Sequence, residues 1–206
     1  MCLIKQRAKN PEQKALRRQQ ILLATKERFN HSAYEQVNLN HIAEDVGITK
    51  AALYRYFRNK ETLFLALYVE SLEQLIESSD TLSSKQKIDE AISELLIQHP
   101  TFCKLSAILH TILERNLRHD EALKFKVRLL ELMKIFGVKI KYHPKAATLS
   151  EEDIFTKLMQ VQQALIGVWH MTHPNGAIAD VLEKSPLSLF KRDFAKTLKE
   201  HVSLLF

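Results

Sequence analysis

Residues 42–57 read IAEDVGITKAALYRYF. Together with Leu39, the residues Ile42, Ala43 and Val46 recur at i, i+3, i+4 and i+7, an inward apolar stripe two turns long. Asn38 stands before that stripe as a helix N-cap, because its side-chain oxygen can accept one of the orphan backbone N–H groups. Gly47 closes the helix where the chain must enter the left-handed region. Ile48 is an apolar plug, and Thr49 can cap a second short helix anchored inward by Leu53 and Phe57, with Ala52 beside them. Two short helices joined through a glycine turn form a helix-turn-helix, whose second helix can enter a DNA major groove.

The surface of that second helix is left to Thr49, Lys50, Ala51, Tyr54, Arg55 and Tyr56. From Ile48 to Lys60 there are four basic residues (Lys50, Arg55, Arg58, Lys60) and no acidic one, whereas a solvated helix usually mixes signs. Lys60 opens a fourth helix behind the cap Asn59, where a cation opposes the helix dipole. A phosphate at that N-terminus would offset the opposition and take the free N–H groups as well. The alternative is that Glu35 and Glu61 balance Lys60 within the protein.

Charge along the chain agrees with a polyanion partner. Residues 1–60 hold 12 Lys/Arg against 5 Asp/Glu, and the remainder holds 18 against 19. The positive excess therefore sits in the N-terminal third, as nucleic acid or an anionic membrane surface would require; a basic N-terminus also serves solubility alone. The four glycines are too dispersed to cradle a phosphate, which excludes Rossmann and P-loop nucleotide binding. Cys2 and Cys103 make neither a disulfide framework nor a zinc knuckle. No apolar run approaches the roughly 18 residues of a membrane helix, and the basic N-terminus lacks the apolar core of a signal peptide. The expectation is a cytoplasmic chain without a membrane segment.

Scarce glycine and proline with abundant Leu, Ala, Lys and Glu predict an all-α fold of about nine helices. After a basic arm, a first helix is expected over 12–30 and the helix-turn-helix over about 38–57. A fourth helix over 60–78 joins this three-helix head to a larger helical C-terminal domain. The polar stretch SSDTLSSK (78–85) divides a DNA-binding unit, 12–78, from a body, 79–206. Body helices are expected at about 85–98, 101–117, 120–141, 151–173 and 187–205.

Residues 21–64, ILLATKERFNHSAYEQVNLNHIAEDVGITKAALYRYFRNKETLF, resemble the DNA-binding head of the TetR family of transcriptional regulators. Phe29, Tyr34, Leu39, Ile42, Ala43, Gly47, Lys50, Leu53, Tyr54, Tyr56, Phe57, Lys60 and Leu63 stand at matching positions. Ala33 replaces the usual turn glycine, Val37 and Asn38 a Thr-Thr/Ser pair, and Ala51 a common glycine. Lys26 and Arg28 stand at positions often apolar. The resemblance implies phosphate contacts from Tyr54, Tyr56 and Lys60, which position without reading sequence. It puts Asn38 and Asn40 on the opposite backbone, with Asn40 also near a base. It turns Thr49, Lys50, Ala51 and Ala52 to base edges, where lysine suits guanine and a small apolar face suits a thymine methyl.

The same resemblance implies a homodimer on a palindromic double-stranded DNA operator, formed by the last two long helices. Ile154, Leu158, Val161 and Leu165 on one, and Phe190, Phe194, Leu198 and Val202 on the other, have the spacing of an interface. A small-molecule effector is expected within the body, with Phe102, Leu105, Leu109, Phe125, Phe136 and Met159 as lining or as plain core. His99, His110, His170 and His173 form no ligand set, and no nucleophile–base pair stands out, so no metal, cofactor or catalysis is expected. The function implied is a ligand-responsive repressor. The alternatives are a ligand-binding or enzymatic body with a vestigial DNA-binding head, and a peripheral membrane protein using the basic arm.

Overall fold

The computed structural model describes residues 10–79 and 86–206. Among them the chain is helical throughout, with no strand. The expected joint at 78–85 lies for the most part outside the described residues. No helix among those described is long and apolar enough to cross a membrane.

The head is built from α1 (Pro11–His31), α2 (Leu39–Val46) and α3 (Lys50–Leu53). Asn10 caps α1 through Oδ1, which accepts from Gln13 N at 2.8 Å, and Pro11 takes the first position, where a missing N–H costs nothing. Ile21, Leu22 and Phe29 of α1 meet Ile42 and Val46 of α2 and Leu53 of α3, all fully or nearly fully buried. The C-terminus of α2 is tied back to α1: Arg17 donates to the Val46 carbonyl at 2.8 Å, and Arg28 pairs with Asp45. Arg28, unusual for its position, is thus a clamp between helices. A short 3-10 turn, Tyr34–Gln36, leads from α1 into α2 and packs Tyr34 edge-on against Phe64.

Helix α4 (Lys60–Ser78) belongs to both halves. Its first turns bury Leu63 and Phe64 in the head, and its later turns bury Tyr68, Leu72, Leu75 and Ile76 in the body. The body continues as α5 (Ile88–Ile97), α6 (Pro100–Ile108), α7 (His119–Lys141), α8 (Glu151–Thr172), α9 (Gly176–Val181) and α10 (Phe194–Ser203). Ser150 opens α8 with a reciprocal capping pair, Ser150 Oγ accepting from Asp153 N and Asp153 Oδ2 accepting from Ser150 N.

Two body helices differ from expectation. The stretch 101–117 is not one α-helix: α6 ends at Ile108 and the chain widens into a π-type turn, Leu109–Leu113. That turn carries Leu109 and Leu113 inward together, both essentially buried. The stretch 187–205 is also broken. A 3-10 turn, Leu187–Phe190, is followed by three extended residues, and Asp193 starts α10 by accepting from Lys196 N at 2.7 Å. The local capping preference of Asp193 prevails over the longer apolar periodicity. Helix α9 lies in a segment that the sequence reads only as a connection.

Candidate nucleic-acid interface

The recognition element follows the expected local chemistry. Asn38 Oδ1 accepts from Asn40 N at 2.8 Å, and Thr49 Oγ1 accepts from Ala52 N at 3.1 Å, so each short helix has a side-chain cap. Gly47 sits at φ 68°, ψ 39°, the left-handed conformation that its position in the turn requires. Leu53 and Phe57 are buried beneath α3. This leaves Asn38, Asn40, Thr49, Lys50, Ala51, Tyr54 and Arg55 exposed, with Ala52 and Tyr56 half-buried.

Lys50 and Tyr54 face Asn38 across a concave, polar hollow of about 350 Å³. Glu35 and Gln36 of the 3-10 turn also line it. Sequence reasoning did not bring these two to the surface of α3, since their placement depends on how the turn folds back. Neither Lys50 nor Arg55 takes an intramolecular partner among the described residues, so both cations keep their donors for an outside acceptor.

Two of the four basic residues are differently employed. Lys60 does not project toward solvent. Its ammonium donates to the Tyr34 carbonyl and lies 4.2 Å from the centre of the Tyr34 ring, with Phe64 beyond. Desolvation lowers its pKa, while Glu35 and Glu61 act in the opposite sense. In this structure the side chain is an internal tie between α4 and the 3-10 turn, the alternative to the phosphate contact expected of it. The free N–H groups behind it are partly taken as well, because Asn59 Oδ1 accepts from Thr62 N at 2.9 Å. Arg58 reaches the body, forking onto Glu121 at 2.8 and 2.7 Å and donating to the Asn116 carbonyl.

In the body, a cavity of about 280 Å³ lies between α4, the α6 segment, α7 and α8. Phe102, Leu109, Phe136 and Met159 line it, whereas Leu105 and Phe125 pack into the surrounding core. Tyr68, His110, Lys126 and Gln162 also line it, and no sequence spacing joins these four. Among the described residues no group of three His, Cys, Asp or Glu side chains could hold a metal ion.

The residues expected at a dimer interface are mostly turned inward. Ile154, Leu158, Val161 and Leu165 are buried against the protomer's own helices, and Leu198 and Val202 are fully buried. Phe194 packs on Trp169 and His173. Only Phe190 of the set is exposed. In the single chain these positions form the core face of α8 and α10, and the opposite faces are left open.

Residues 21–67 match the family described as bacterial regulatory proteins, tetR family, and residues 65–206 match the tetracyclin repressor-like C-terminal domain. The chain is 25% identical over 124 residues to the fatty acid metabolism regulator protein of Bacillus subtilis, covering 60% of this chain and 63% of that one. It is 26% identical over 106 residues to an HTH-type transcriptional repressor of Mycobacterium tuberculosis, 52% of this chain and 54% of that one. These matches thus span little more than half the length of the relatives. The fold is also that of the fatty acid degradation regulator FadR from Bacillus halodurans, with TM-score 0.57, 17% identity, and coverage of 97% of this chain and 96% of that chain. With two family matches meeting inside α4 and together running from residue 21 to the last residue, the chain belongs to the TetR family of bacterial transcriptional regulators.

Proposed function

We propose that the chain is a cytoplasmic, non-enzymatic, ligand-responsive repressor that binds a palindromic operator as a homodimer. The observation that carries this reading is the exposed start of α3. Lys50 and Ala51 stand exposed there beside the cap Thr49, with Lys50 and Arg55 unpaired among the described residues and no acidic residue between Ile48 and Lys60. In this reading Lys50 donates to guanine, and Ala51 and Ala52 meet a thymine methyl. Asn38, Tyr54 and Tyr56 hold phosphates, while Asn40 lies between backbone and base. The head, 12–78, engages DNA, and the body, 79–206, takes the effector and the partner subunit.

Pairing would use the outer surface that α8 and the segments after it present. Met171, Ile178, Val181, Leu189 and Phe190 are exposed there. A two-fold axis would set two α3 helices on successive major-groove faces, which is why the operator should be palindromic. An effector then acts only by its differential affinity for two spacings of the heads. The name of the Bacillus subtilis relative supports fatty-acid metabolism as the regulated process.

Fluorescence anisotropy with labelled duplex from upstream of the protein's own gene tests this reading, with salt and an unrelated competitor duplex as variables. Competitor-resistant binding of two protomers to a palindrome is expected. Weak, sequence-blind binding that disappears with salt would favour a body with a vestigial head. Binding to anionic vesicles in place of DNA would favour a peripheral membrane protein.

A further inference from the structure

The body cavity is polar at one end and apolar at the other. Helices α4 and α7 pass it in the same sense: Tyr68 lies beside Phe125, with ring centroids 6.1 Å apart, and farther along Lys139 donates to the Ile76 carbonyl at 2.7 Å. Helix α8 returns in the opposite sense, since a Cβ on Gly137 would lie 3.2 Å from Ile154. Gln162 therefore comes level with Tyr68, and Phe155 comes level with Phe136. Lining residues on α8 run from Phe155 to Leu165, about 15 Å of helix at 1.5 Å per residue. The cavity is a slot rather than a bowl.

Its polar end is rich in donors. Gln162 lines this end beside the Tyr68 hydroxyl, whose pKa burial pushes up, and Ser106 stands behind that hydroxyl in the core. Among the described residues, buried Gln162 Nε2 makes no hydrogen bond of good geometry beyond its approach to the Tyr68 hydroxyl, although buried polar atoms nearly always have one. At the rim, Lys126 donates to Glu114 at 2.7 Å, and His110 lies 3.2 Å from the same carboxylate. Glu114 is thus already paired, and Gln162 is left facing the cavity as a donor. Along the other end, Leu72, Leu75, Leu96, Met133, Phe136 and Leu158 offer no polar group. An elongated apolar chain fits there, where water would find few partners.

We propose that this cavity takes a single-chain acyl amphiphile, its carbonyl oxygen accepting from Gln162 and Tyr68, and its chain lying along α8 toward Leu75, Phe136 and Phe155. The proposal rests on the ligand-responsive reading above and names the effector's chemistry. A free carboxylate and a neutral ester share that carbonyl, and the test separates them.

The full chain is titrated calorimetrically with dodecanoate, methyl dodecanoate and dodecyltrimethylammonium, below their aggregation limits. One of the acyl probes is expected to bind at least about tenfold more tightly than the cation of equal chain length. Tighter acid assigns a carboxylate held near Lys126, and tighter ester assigns a neutral head. Gln162→Leu should weaken the acyl probe about tenfold at an unchanged melting temperature. Met133→Trp, which fills the apolar end, should shift preference from dodecanoate to octanoate. Equal or tighter binding of the cation overturns the proposal, as does no binding of either acyl probe. Unaltered acyl affinity in folded Gln162→Leu does so too. Acyl binding that leaves operator affinity unchanged would support the pocket's chemistry and count against the ligand-responsive reading.

Discussion

Lys104 of α6 caps the C-terminal end of α1 by reaching the Phe29 carbonyl. Its ammonium lies 2.5 Å from that oxygen, 2.9 Å from the Ser32 carbonyl and 4.3 Å from the Phe29 ring centre. Nearby, Thr101 donates to Asn30 Oδ1 at 2.8 Å. The helix that carries Phe102 into the body cavity therefore also holds the last turn of the first head helix. Cavity and head share a rigid element through which occupancy at one can bias the other. Lys104→Met should keep the alkyl packing yet leave helix-end carbonyls unmet, at a cost of about 1–2 kcal/mol in urea denaturation. It should also reduce the effector's influence on operator affinity more than it reduces effector binding, as paired titrations with and without DNA would reveal.

Arg58 and Glu121 form a second bridge between head and body. The Arg58 guanidinium, with help from the Arg118 backbone N–H, holds the Glu121 carboxyl down to about 2. A carboxylate whose pKa is lower folded than unfolded contributes stability above its unfolded value, roughly 4.3, and loses it as pH falls toward the folded value. The wild-type melting temperature should therefore drop between about pH 4.5 and 2 partly through this group, and Glu121→Gln should flatten that part of the profile. An unchanged slope in the variant would remove Glu121 from the account of acid sensitivity.

Lys60 and Lys50 are both basic and close in sequence, yet they should behave differently. Lys60→Met removes a donor from the Tyr34 carbonyl and should cost about 1–2 kcal/mol of stability. Its loss of DNA binding should be no larger than the loss of fold explains. Lys50→Ala should leave stability alone and relax preference at particular base pairs by about 1–3 kcal/mol, read by binding to a panel of singly substituted operators. A Lys60 variant that folds normally and loses one phosphate's worth of salt dependence would return that side chain to the DNA backbone.

Gly47 offers a cleaner backbone test. A methyl group there would meet nothing within 4 Å, so any penalty comes from φ 68° alone. Gly47→Ala should destabilise by about 1–2 kcal/mol by thermal melting, and Gly47→Asn by less, because asparagine tolerates the left-handed region.

The head was legible because its information is local. Asn38, Thr49 and Asn59 cap the helices that follow them, Gly47 occupies the turn, and Leu39, Ile42, Ala43 and Val46 are all buried. Each depends on residues within about one turn, so spacing alone sufficed. The body was legible as helices but not as surfaces. Apolar periodicity distinguishes an inward face from an outward one, and it does not say whether what lies inward is a core, a cavity or another protomer. Ile154 and Leu165, expected at an interface, are buried within the chain, and Leu105 and Phe125, read as lining or as plain core, are packed.

From sequence alone follow the helical class, the helix-turn-helix with its caps and glycine, and the excess of positive charge in the first third of the chain. Folding in three dimensions decided the partners of long side chains. Lys60 turned onto Tyr34, Arg58 onto Glu121 and Lys104 onto Phe29, across separations of 26, 63 and 75 residues. It also gathered Tyr68 and Gln162, from two separate helices, at one end of a slot. Backbone geometry propagates over a turn or two of helix, whereas a flexible lysine or arginine settles on whichever carbonyl or carboxylate packing brings within its reach.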